Sequence, residues 1–351
     1  MEVLLLLRCH AALREAYETA PPFGAEGGER TGYLLFARVN TLLTSLPLVV
    51  SSLVSAGWEE QSEPLGAARA GQPLRSPLSS LPPCSRAFCR DALFPDVLAF
   101  PPGAPLRDLP LLSDGSLLLQ DRASCACAHV LAPRPGTQVI DACAAPGKKT
   151  AHLAARMNNQ GSLAAFDRDP TRAGCMATFL LSAGATCASA EACDFLQVDP
   201  KEPRWSAVEA ILLDPSCSGS GTTFFKKREE SAAFAPSQLR LLLHAMRFPG
   251  VATLVYSTCS TSEEENERVV AQALANRSDW RLRRQVLPQW GRRGRAVGGL
   301  SEEDATCTLR FCSEEDLCLG FFIACFEPVP KESTDHKSRR RAKKRAREAK
   351  T

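Results

Sequence analysis

Short apolar runs alternate with longer mixed stretches between residues 137 and 327. The runs that predict β-strands are TQVIDA, GSLAAFD, TCASAEACD, VEAILLDP, ATLVYST and LGFFIACFE. Apolar runs of this length, separated by helical stretches, are typical of βαβ units. Glycine and proline in LSAGA and RFPG predict where helices end before the next strand. This pattern predicts an α/β domain built on a doubly wound sheet.

The chain before residue 115 has a different pattern. In residues 31–60, GYLLFARVNTLL predicts a strand and LPLVVSSLVSAGW predicts a helix. Residues 61–90 are rich in proline, serine, glycine and alanine and lack periodicity, which predicts a loose loop. The run DVLAF predicts a further strand. These elements indicate a small α+β unit.

We therefore predict four parts in this chain of 351 residues. They are an N-terminal helical segment (1–30), the small α+β domain (31–114), a larger α/β domain (115–330) and a disordered basic tail (331–351). No window approaches the roughly 18 uninterrupted apolar residues of a membrane span. The opening MEVLLLL is followed by charged residues and no cleavage site, which favours a helix over a signal peptide.

Charge is unevenly distributed, although the formal net charge is only +3. Residues 337–351 contain nine Lys or Arg and one Glu, so the rest of the chain is net acidic. Such a body binds a polyanion through local patches and the tail rather than through an overall positive field.

The chain contains 15 cysteines, and without a secretory signal we expect them to be free thiols, mostly small buried hydrophobes. Neither Cys84 with Cys89 nor Cys125 with Cys127 forms paired CxxC knuckles, and His129 alone does not complete a ligand set. We therefore expect no metal.

The stretch VIDACAAPGKKTAHLA predicts a strand, a turn of small residues and a helix. Small residues let the backbone approach a ligand, and we expect Gly147 to provide that close approach. The turn lacks GxGxxG, which counts against a dinucleotide, and lacks GxxxxGK[ST], which counts against a P-loop. An adenosine ligand without phosphates remains.

Acidic residues end the next two predicted strands. Asp167 is placed to accept from ribose hydroxyls, and Asp194 lies near the expected adenine. Each acid alone is equally well explained as a helix N-cap.

Two cysteines each follow a buried strand, Cys217 in LLDPSCSGSG and Cys259 in LVYSTCS. Neighbouring strand ends would bring them toward one cleft. Taken singly, each is more simply a small buried hydrophobe.

With these motifs together, the sequence resembles the Nop2/Sun family of RNA cytosine-5 methyltransferases. DACAAPGKKT is similar to the cofactor motif, LLDPSCSG to the proline–cysteine motif, YSTCS with EEENE to the nucleophile motif and GFFIA to the closing strand. The similarity extends from about Phe36 to about Glu327. LLLQDRASC, DACAAPG and LLDPSCSGSG are most similar to the fifth member, a branch whose substrate is large-subunit (28S) ribosomal RNA.

The resemblance implies a Rossmann-like class I methyltransferase sheet with an RRM-like N-terminal α+β domain that binds RNA. It implies S-adenosyl-L-methionine as cofactor, Cys259 as the nucleophile that adds to carbon 6 of cytosine, Cys217 as the residue that assists release and Asp214 as the acid that holds the base. The residues that match cofactor positions are Cys143, Ala144, Ala145, Pro146, Gly147, Lys148, Lys149, Asp167, Arg172, Asp194 and Asp214. The two lysines could instead be solvated residues at a helix start.

The implied partners are ribosomal RNA or pre-ribosomal particles, in the nucleus and nucleolus, with no membrane and with a monomer favoured. FFKKRE (224–229) and GRRGR (291–295) are candidate RNA-facing patches, although charge runs are usually solvated faces. The tail matches nucleolar targeting and phosphate binding.

Departures from the family are a shorter N-terminus, a poorly matched 61–90 segment and a contracted region after Gly221. A nonenzymatic RNA-binding ribosome-assembly factor that retains the fold remains the alternative. An oxidoreductase would require the missing dinucleotide turn.

Overall fold

The computed structural model describes residues 33–82, 84–222 and 231–330. The predicted N-terminal helical segment, the FFKKRE run and the basic tail lie outside these residues. The described part of the chain forms two β-sheets, and the second carries the predicted site.

The first sheet belongs to the small N-terminal unit. Its strands are β1 (Leu35–Val39), β2 (Glu59–Glu60), β3 (Ala87–Arg90), β4 (Val97–Phe100) and β5 (Leu117–Leu119), in the order β2-β3-β4-β1-β5. β1 pairs antiparallel with both β4 and β5, so that Arg38 lies opposite Val97 on one side and Leu118 on the other. The sheet therefore extends to Leu119, beyond the predicted boundary at residue 114.

Helix α1 (Leu46–Ser55) packs on this sheet, as the sequence predicts. Pro47 lies in its first turn, where the missing N–H removes no intrahelical hydrogen bond. Val49, Val50 and Leu53 are buried at helical spacing in the core that the helix shares with the sheet. A short helix, α2 (Pro110–Ser113), precedes β5. The small α+β unit is thus confirmed.

The segment 61–90 differs from the predicted loose loop. Its last residues form β3, in which Cys89 lies opposite Ala99 of β4. The preceding part contains a short 3₁₀ turn (Pro77–Ser80) and is fixed by the fully buried side chains of Leu65, Ala68 and Leu78. These apolar residues are irregularly spaced, which explains why periodicity does not reveal an ordered segment.

The second sheet confirms all the strands predicted after residue 137. Its strands are β6 (Gln138–Asp141), β7 (Ser162–Asp167), β8 (Ala188–Ala192), β9 (Val208–Leu213), β10 (Thr253–Thr258), β11 (Trp280–Leu282), β12 (Thr308–Phe311) and β13 (Phe321–Pro328). The order is β11-β13-β10-β9-β6-β7-β8, with β12 paired to β13. Strands β6 to β10 are parallel, whereas β13 is antiparallel to its neighbours.

The helices of this unit are α3 (Arg122–Leu131), α4 (Lys148–Arg156), α5 (Pro170–Ser182), α6 (Ser231–Ala245), α7 (Glu267–Asn276), α8 (Glu302–Ala305) and α9 (Ser313–Asp316). Successive strand residues face two separate apolar clusters, with Val139 and Leu212 in one and Ile140 and Ile211 in the other. A mostly parallel sheet with an apolar core on each face is the predicted Rossmann-like arrangement, which is confirmed. Among the described helices, none combines the length and the apolar content needed to cross a membrane.

The two units meet at the start of α3. The Arg122 guanidinium donates to the Gly66 carbonyl at 2.5 Å and to the Asp91 carboxylate at 3.2 Å, and lies 5.1 Å from the centre of the Trp290 ring. Asp121 caps α3 and also accepts from the Leu319 amide at 3.1 Å. Arg122 and Asp91 are both buried, and removing one partner of a buried pair costs about 3–5 kcal/mol. These contacts fix the small unit against the larger one.

Candidate active site

The predicted site residues gather at one edge of the second sheet. β6, β7, β9 and β10 are parallel, so their carboxyl ends lie on the same side. Asp141 and Asp167 end β6 and β7, and Asp214 and Cys259 follow β9 and β10. The strand order reverses between β6 and β9, and loops diverge at such a point to leave a crevice for a ligand.

The turn of small residues connects β6 to α4. The Ala144 amide donates to the Phe166 carbonyl of β7 at 2.8 Å, and the Gly147 amide donates to the Ala144 carbonyl at 2.8 Å. Gly147 has a φ of +102°, a conformation that favours glycine. A Cβ at this position would lie 3.0 Å from the Phe179 side chain and 3.1 Å from that of Met176. A side chain at this position would therefore crowd α5, and the predicted approach of Gly147 to a ligand stays a prediction.

The Asp141 carboxyl, which was not among the predicted site residues, lies fully buried where this turn begins. Its Oδ2 accepts from the Thr150 hydroxyl at 2.8 Å, whereas its Oδ1 has no hydrogen-bond partner among the described residues. Burial raises the pKa of Asp141 to about 7 and also raises the pKa of the neighbouring Cys143 thiol. An unpartnered buried polar atom costs about 1–3 kcal/mol, so Oδ1 marks a place where a donor from a ligand fits.

Asp167 and Arg172 connect the end of β7 to the turn. The Arg172 guanidinium donates to the Ala145 carbonyl at 2.9 Å, next to Pro146, and lies 3.3 Å from Asp167 Oδ2. Asp167 Oδ1 accepts from the Asp169 amide at 3.0 Å. It is Asp169 that caps α5, so helix capping does not explain Asp167.

Asp194 caps a helical turn, which is one of the two roles that the sequence allowed for it. Its Oδ1 accepts from the Leu196 amide at 2.9 Å, at the start of the 3₁₀ turn Phe195–Gln197. This bond uses part of the capacity of the carboxylate, whose other oxygen can still accept from a ligand.

Neither lysine of the motif is an ordinary solvated residue. Lys148 Nζ donates to the Leu119 carbonyl of β5 at 2.9 Å, so it contacts the small unit. Lys149 Nζ lies 2.7 Å from Asp214 Oδ2. Burial by itself would lower the pKa of Lys149, but Asp214 and two nearby thiols outweigh burial and hold this pKa above its usual value.

Asp214 connects the cofactor turn to the cysteines. Besides its ion pair with Lys149, its Oδ1 accepts from the Ser257 hydroxyl of β10 at 2.6 Å. Its side chain is 24% exposed, so it is still open to a ligand on one side. A carboxylate accepts about four hydrogen bonds, which leaves capacity for the edge of a base.

The two predicted cysteines meet at the edge of the sheet. Cys217 Sγ and Cys259 Sγ are 3.1 Å apart, and both are free thiols that are partly buried. The hydrogen bond from Cys217 lowers the pKa of Cys259, although burial and Asp214 oppose this. The same hydrogen bond, followed by burial, raises the pKa of Cys217 far above its usual value. Of the two sulfurs, Cys259 is therefore the one that ionises more readily.

Polar groups behind the two cysteines were not predicted. Glu265 is fully buried and accepts from Ser218, the residue after Cys217, through both the amide (2.9 Å) and the hydroxyl (2.5 Å). Gln238 of α6 donates to the same carboxylate at 3.0 Å. The acidic run EEENE was the sequence feature that could have drawn attention to Glu265. Nothing in the run shows which of its acids is buried and which is solvated.

The GRRGR patch is largely engaged within the protein. Arg292 forms ion pairs with Glu315 and Asp316, and Arg293 donates to the carbonyls of Val286 and Leu287. Two arginines of this predicted RNA-facing patch therefore have their donors directed at the protein itself. Arg295 is 61% exposed but pairs with Glu263.

Asp96, His129 and His152 offer ligand atoms within 4.8 Å of one another at the joint between the two units. His129 Nε2 lies 2.8 Å from Asp96 Oδ1, and Arg156 lies 3.3 Å from His129 Nδ1. A guanidinium only donates, so Nδ1 accepts and the ring proton is on Nε2, facing Asp96. Burial, followed by Arg38, lowers the pKa of His152 to about 3. Asp96, His129 and His152 thus form a hydrogen-bonded cluster between the two units.

Two protein-family models match the chain. The model described as 16S rRNA methyltransferase RsmB/F matches residues 128–327, which is more than half of the chain. The model described as the ferredoxin-like domain of NOL1/NOP2/Sun domain family member 5 matches residues 33–120. Together the two models cover the two units of the structure.

The chain is also similar to individual proteins that are named as methyltransferases or methyltransferase homologs. The chain is 42% identical to the mouse 28S rRNA (cytosine-C(5))-methyltransferase over 86% of its own length, and spans 64% of the length of that relative. It is 41% identical to the human putative methyltransferase NSUN5C, over 67% of this chain and 76% of the relative. A solved methyltransferase homolog protein from Pyrococcus horikoshii superposes with a TM-score of 0.64 and 26% identity, covering 92% of this chain and 99% of that one.

Proposed function

Because this chain belongs to the RsmB/F family of rRNA methyltransferases, we propose that it transfers a methyl group from S-adenosyl-L-methionine to carbon 5 of a cytosine in large-subunit ribosomal RNA. The observation that carries the proposal is the pair of free cysteines, Cys259 and Cys217, whose sulfurs lie 3.1 Å apart at the carboxyl edge of the sheet. The name of the mouse relative supports the choice of base and of RNA.

The residues around the turn fit the cofactor. The turn from Cys143 to Gly147 has no bulky side chain, and the first turn of α4 behind it presents amides that lack intrahelical acceptors. Asp167 is proposed to accept from the ribose hydroxyls, and the unpartnered Oδ1 of Asp141 offers an acceptor that was not predicted. Asp194, one carboxylate oxygen of which caps a 3₁₀ turn, keeps its other oxygen for the adenine side. When bound, S-adenosyl-L-methionine supplies an electrophilic methyl group.

Arg172 and the two lysines act through protein contacts in this proposal. Arg172 holds the Ala145 carbonyl and Asp167, and Lys148 holds the small unit through Leu119. Lys149 fixes Asp214 beside the cysteines. These three residues therefore set the shape of the site rather than provide its chemistry.

Cys259 provides the nucleophile. Its thiolate adds to carbon 6 of the cytosine and forms a carbon–sulfur bond, which makes carbon 5 an enamine carbon that can attack the methyl group. Thiolate addition places negative charge on the ring, and nitrogen 3 takes up a proton from solvent water. Asp214 then stabilises the adduct by accepting from the exocyclic amine and from this nitrogen. The Ser257 and Lys149 contacts keep this carboxylate in place without using all its acceptor sites.

Cys217 assists release. The proton on carbon 5 must leave, and its bonding electrons re-form the ring double bond as the carbon–sulfur bond to Cys259 breaks. At 3.1 Å from the Cys259 sulfur, Cys217 lies beside the carbon that carries the adduct. The target base must leave its stack to reach both cysteines.

The direct test is transfer of a tritiated methyl group from S-adenosyl-L-methionine to unmodified large-subunit ribosomal RNA, with small-subunit RNA as the control. We expect label in the large-subunit RNA, recovered as 5-methylcytosine after digestion. If the protein binds the cofactor and the RNA but transfers no label to either RNA, a nonenzymatic assembly role replaces this proposal.

Asp167→Ala is expected to weaken cofactor affinity by about ten- to a hundredfold, because the loss of one or two hydrogen bonds to a carboxylate is of that size. Isothermal calorimetry with S-adenosyl-L-methionine measures the change. The matched control is Asp169→Ala, which removes the cap of α5 and lowers stability by about 1 kcal/mol without touching the cofactor. Equal affinity in the two variants would contradict the ribose role of Asp167.

Ribosomal RNA and pre-ribosomal particles are the partners that this activity implies, and the nucleolus is where it would act. The small unit, matched by the ferredoxin-like domain model, is proposed to contribute RNA contacts beside the site. The basic tail adds nonspecific affinity for phosphates.

A further inference from the structure

Glu265 is a buried acid that contacts Ser218 beside Cys217, Gln238 of α6 and Tyr256 of β10, the strand that Cys259 follows. It is fully buried between β10 and α7, and among the described residues it has no ion-pair partner. A buried carboxylate without a counterion must be held by hydrogen bonds. Its donors are the Ser218 amide at 2.9 Å, the Ser218 hydroxyl at 2.5 Å and Gln238 Nε2 at 3.0 Å.

These donors connect Glu265 to the loop that follows β9 and carries Cys217, which we call the Cys217 loop. Ser218 directly follows Cys217, and it gives the carboxylate both its amide and its hydroxyl. Gln238 uses the same amide group to hold the Ser216 carbonyl at 3.0 Å, on the other side of Cys217. The backbone of the Cys217 loop is thus held on both sides of its thiol.

The same residue is tied to the strand that carries Cys259. The carbonyl of Glu265 accepts from the Tyr256 hydroxyl at 2.5 Å, three residues before Cys259 on β10. Ser260, the residue after Cys259, lies 3.2 Å from the Ser218 hydroxyl. The two loops also share a backbone bond, from the Gly221 amide to the Cys259 carbonyl at 2.9 Å.

A purely structural role is better matched by the neighbouring acid Glu267. Glu267 forms a buried ion pair with Arg310 and accepts from the Arg295 amide, so it stabilises the segments on the other side of the loop. None of the described donors to the Glu265 carboxylate comes from the segments that Glu267 contacts. A fully buried acid is costly to retain for stability alone, since well-packed apolar residues often stabilise a core as well or better.

We propose that Glu265 is a positioning residue that holds the thiol of Cys217 against Cys259, and that it thereby controls release of the methylated RNA from the covalent adduct. This inference rests on the proposed function. Without the carboxylate, the Ser218 amide and hydroxyl and the Gln238 amide lose their acceptor, and the Cys217 loop is free to move from the adduct carbon. Cys259, held by β10, keeps its place and continues to attack.

The test compares Glu265→Ala and Glu265→Gln with Cys217→Ala, each incubated with large-subunit RNA and S-adenosyl-L-methionine and resolved on a denaturing gel. We expect Glu265→Ala to accumulate a nuclease-sensitive adduct at about tenfold the wild-type level, which corresponds to one of the three charge-assisted hydrogen bonds that the variant loses. Glu265→Gln keeps an acceptor for the Ser218 amide and should largely rescue release. Cofactor affinity, measured by calorimetry, should be unchanged in both.

The controls separate positioning from stability. Glu263→Ala removes a partly exposed acid of the same segment, paired with Arg295, and should behave like the wild type. Adding Cys259→Ala to Glu265→Ala should remove the adduct. If Glu265→Ala does not fold, Ser218→Ala decides instead: adduct accumulation supports the inference, and its absence overturns it.

Two failures can be told apart. If Cys217→Ala traps RNA but Glu265→Ala loses methyl transfer only in proportion to its folded, cofactor-binding fraction, then Glu265 is structural and the inference is overturned. If the wild type transfers no methyl group and Cys217→Ala traps nothing, the proposed function fails, and the inference fails with it.

Discussion

Cys259→Ala is expected to lose methyl transfer by about four orders of magnitude or more while it keeps its affinity for S-adenosyl-L-methionine, because removing the nucleophile of a covalent mechanism has effects of this size. The thiolate adds to carbon 6, and without it carbon 5 of cytosine is a poor nucleophile. The lowered pKa of Cys259 supports this assignment over Cys217, since the pKa of Cys217 is raised. The proposed cofactor turn follows β6, whereas Cys259 follows β10, so cofactor binding should survive the substitution.

Labelled-methyl transfer and calorimetry on the same protein preparation measure both parts of this result. Cys187→Ala is the matched control, because it removes a partly buried cysteine next to β8, away from the pair. Retained turnover in Cys259→Ala would refute the nucleophile assignment. Loss of cofactor affinity along with turnover would mean instead that the substitution disturbs the fold.

The strands of the second sheet could be predicted because their apolar runs are continuous and are bounded by acids, glycine or proline. Buried parallel strands need this pattern, since both faces of the sheet are covered. The convergence of Cys217 and Cys259 followed from the same logic, because neighbouring parallel strands end at one edge. Periodicity did not reveal β3 or β5, since each is too short to show an alternating pattern, and β5 pairs with β1, which lies far away in the chain.

Contacts of charged side chains could not be read from the sequence. Lys148 and Lys149 are adjacent, yet one contacts the small unit and the other Asp214. Arg292 looks like part of a basic surface but pairs with acids more than twenty residues later. Glu265 lies in an acidic run that looks solvated, and only the fold directs it to Ser218. Such contacts depend on three-dimensional proximity, which local spacing does not encode.

Cys217→Ala is expected to trap the protein on RNA as a covalent adduct. In the resting pair, the hydrogen bond with Cys259, followed by burial and by the neighbouring sulfur charge, raises the pKa of Cys217 and keeps it a thiol. Once Cys259 is bonded to carbon 6, it has no negative charge and no longer accepts that hydrogen bond. Two of the causes that keep Cys217 protonated are then gone, so Cys217 can pass its proton to solvent water. The resulting thiolate accepts the proton on carbon 5, and the electrons of that carbon–hydrogen bond form the ring double bond as the bond to Cys259 breaks.

Alanine cannot accept this proton, so release should slow by about a hundred- to ten-thousandfold, the usual contribution of a positioned general base. Methyl transfer itself should proceed once per protein, because Cys259 is intact. Denaturing electrophoresis after incubation with large-subunit RNA and S-adenosyl-L-methionine should show a slow, nuclease-sensitive band, and the Cys217→Ala, Cys259→Ala double variant should show none. Multiple turnovers without a band in Cys217→Ala would assign release to another group near carbon 5, and Asp214, which lies at the same edge and still has open acceptor sites, would be the first residue to substitute.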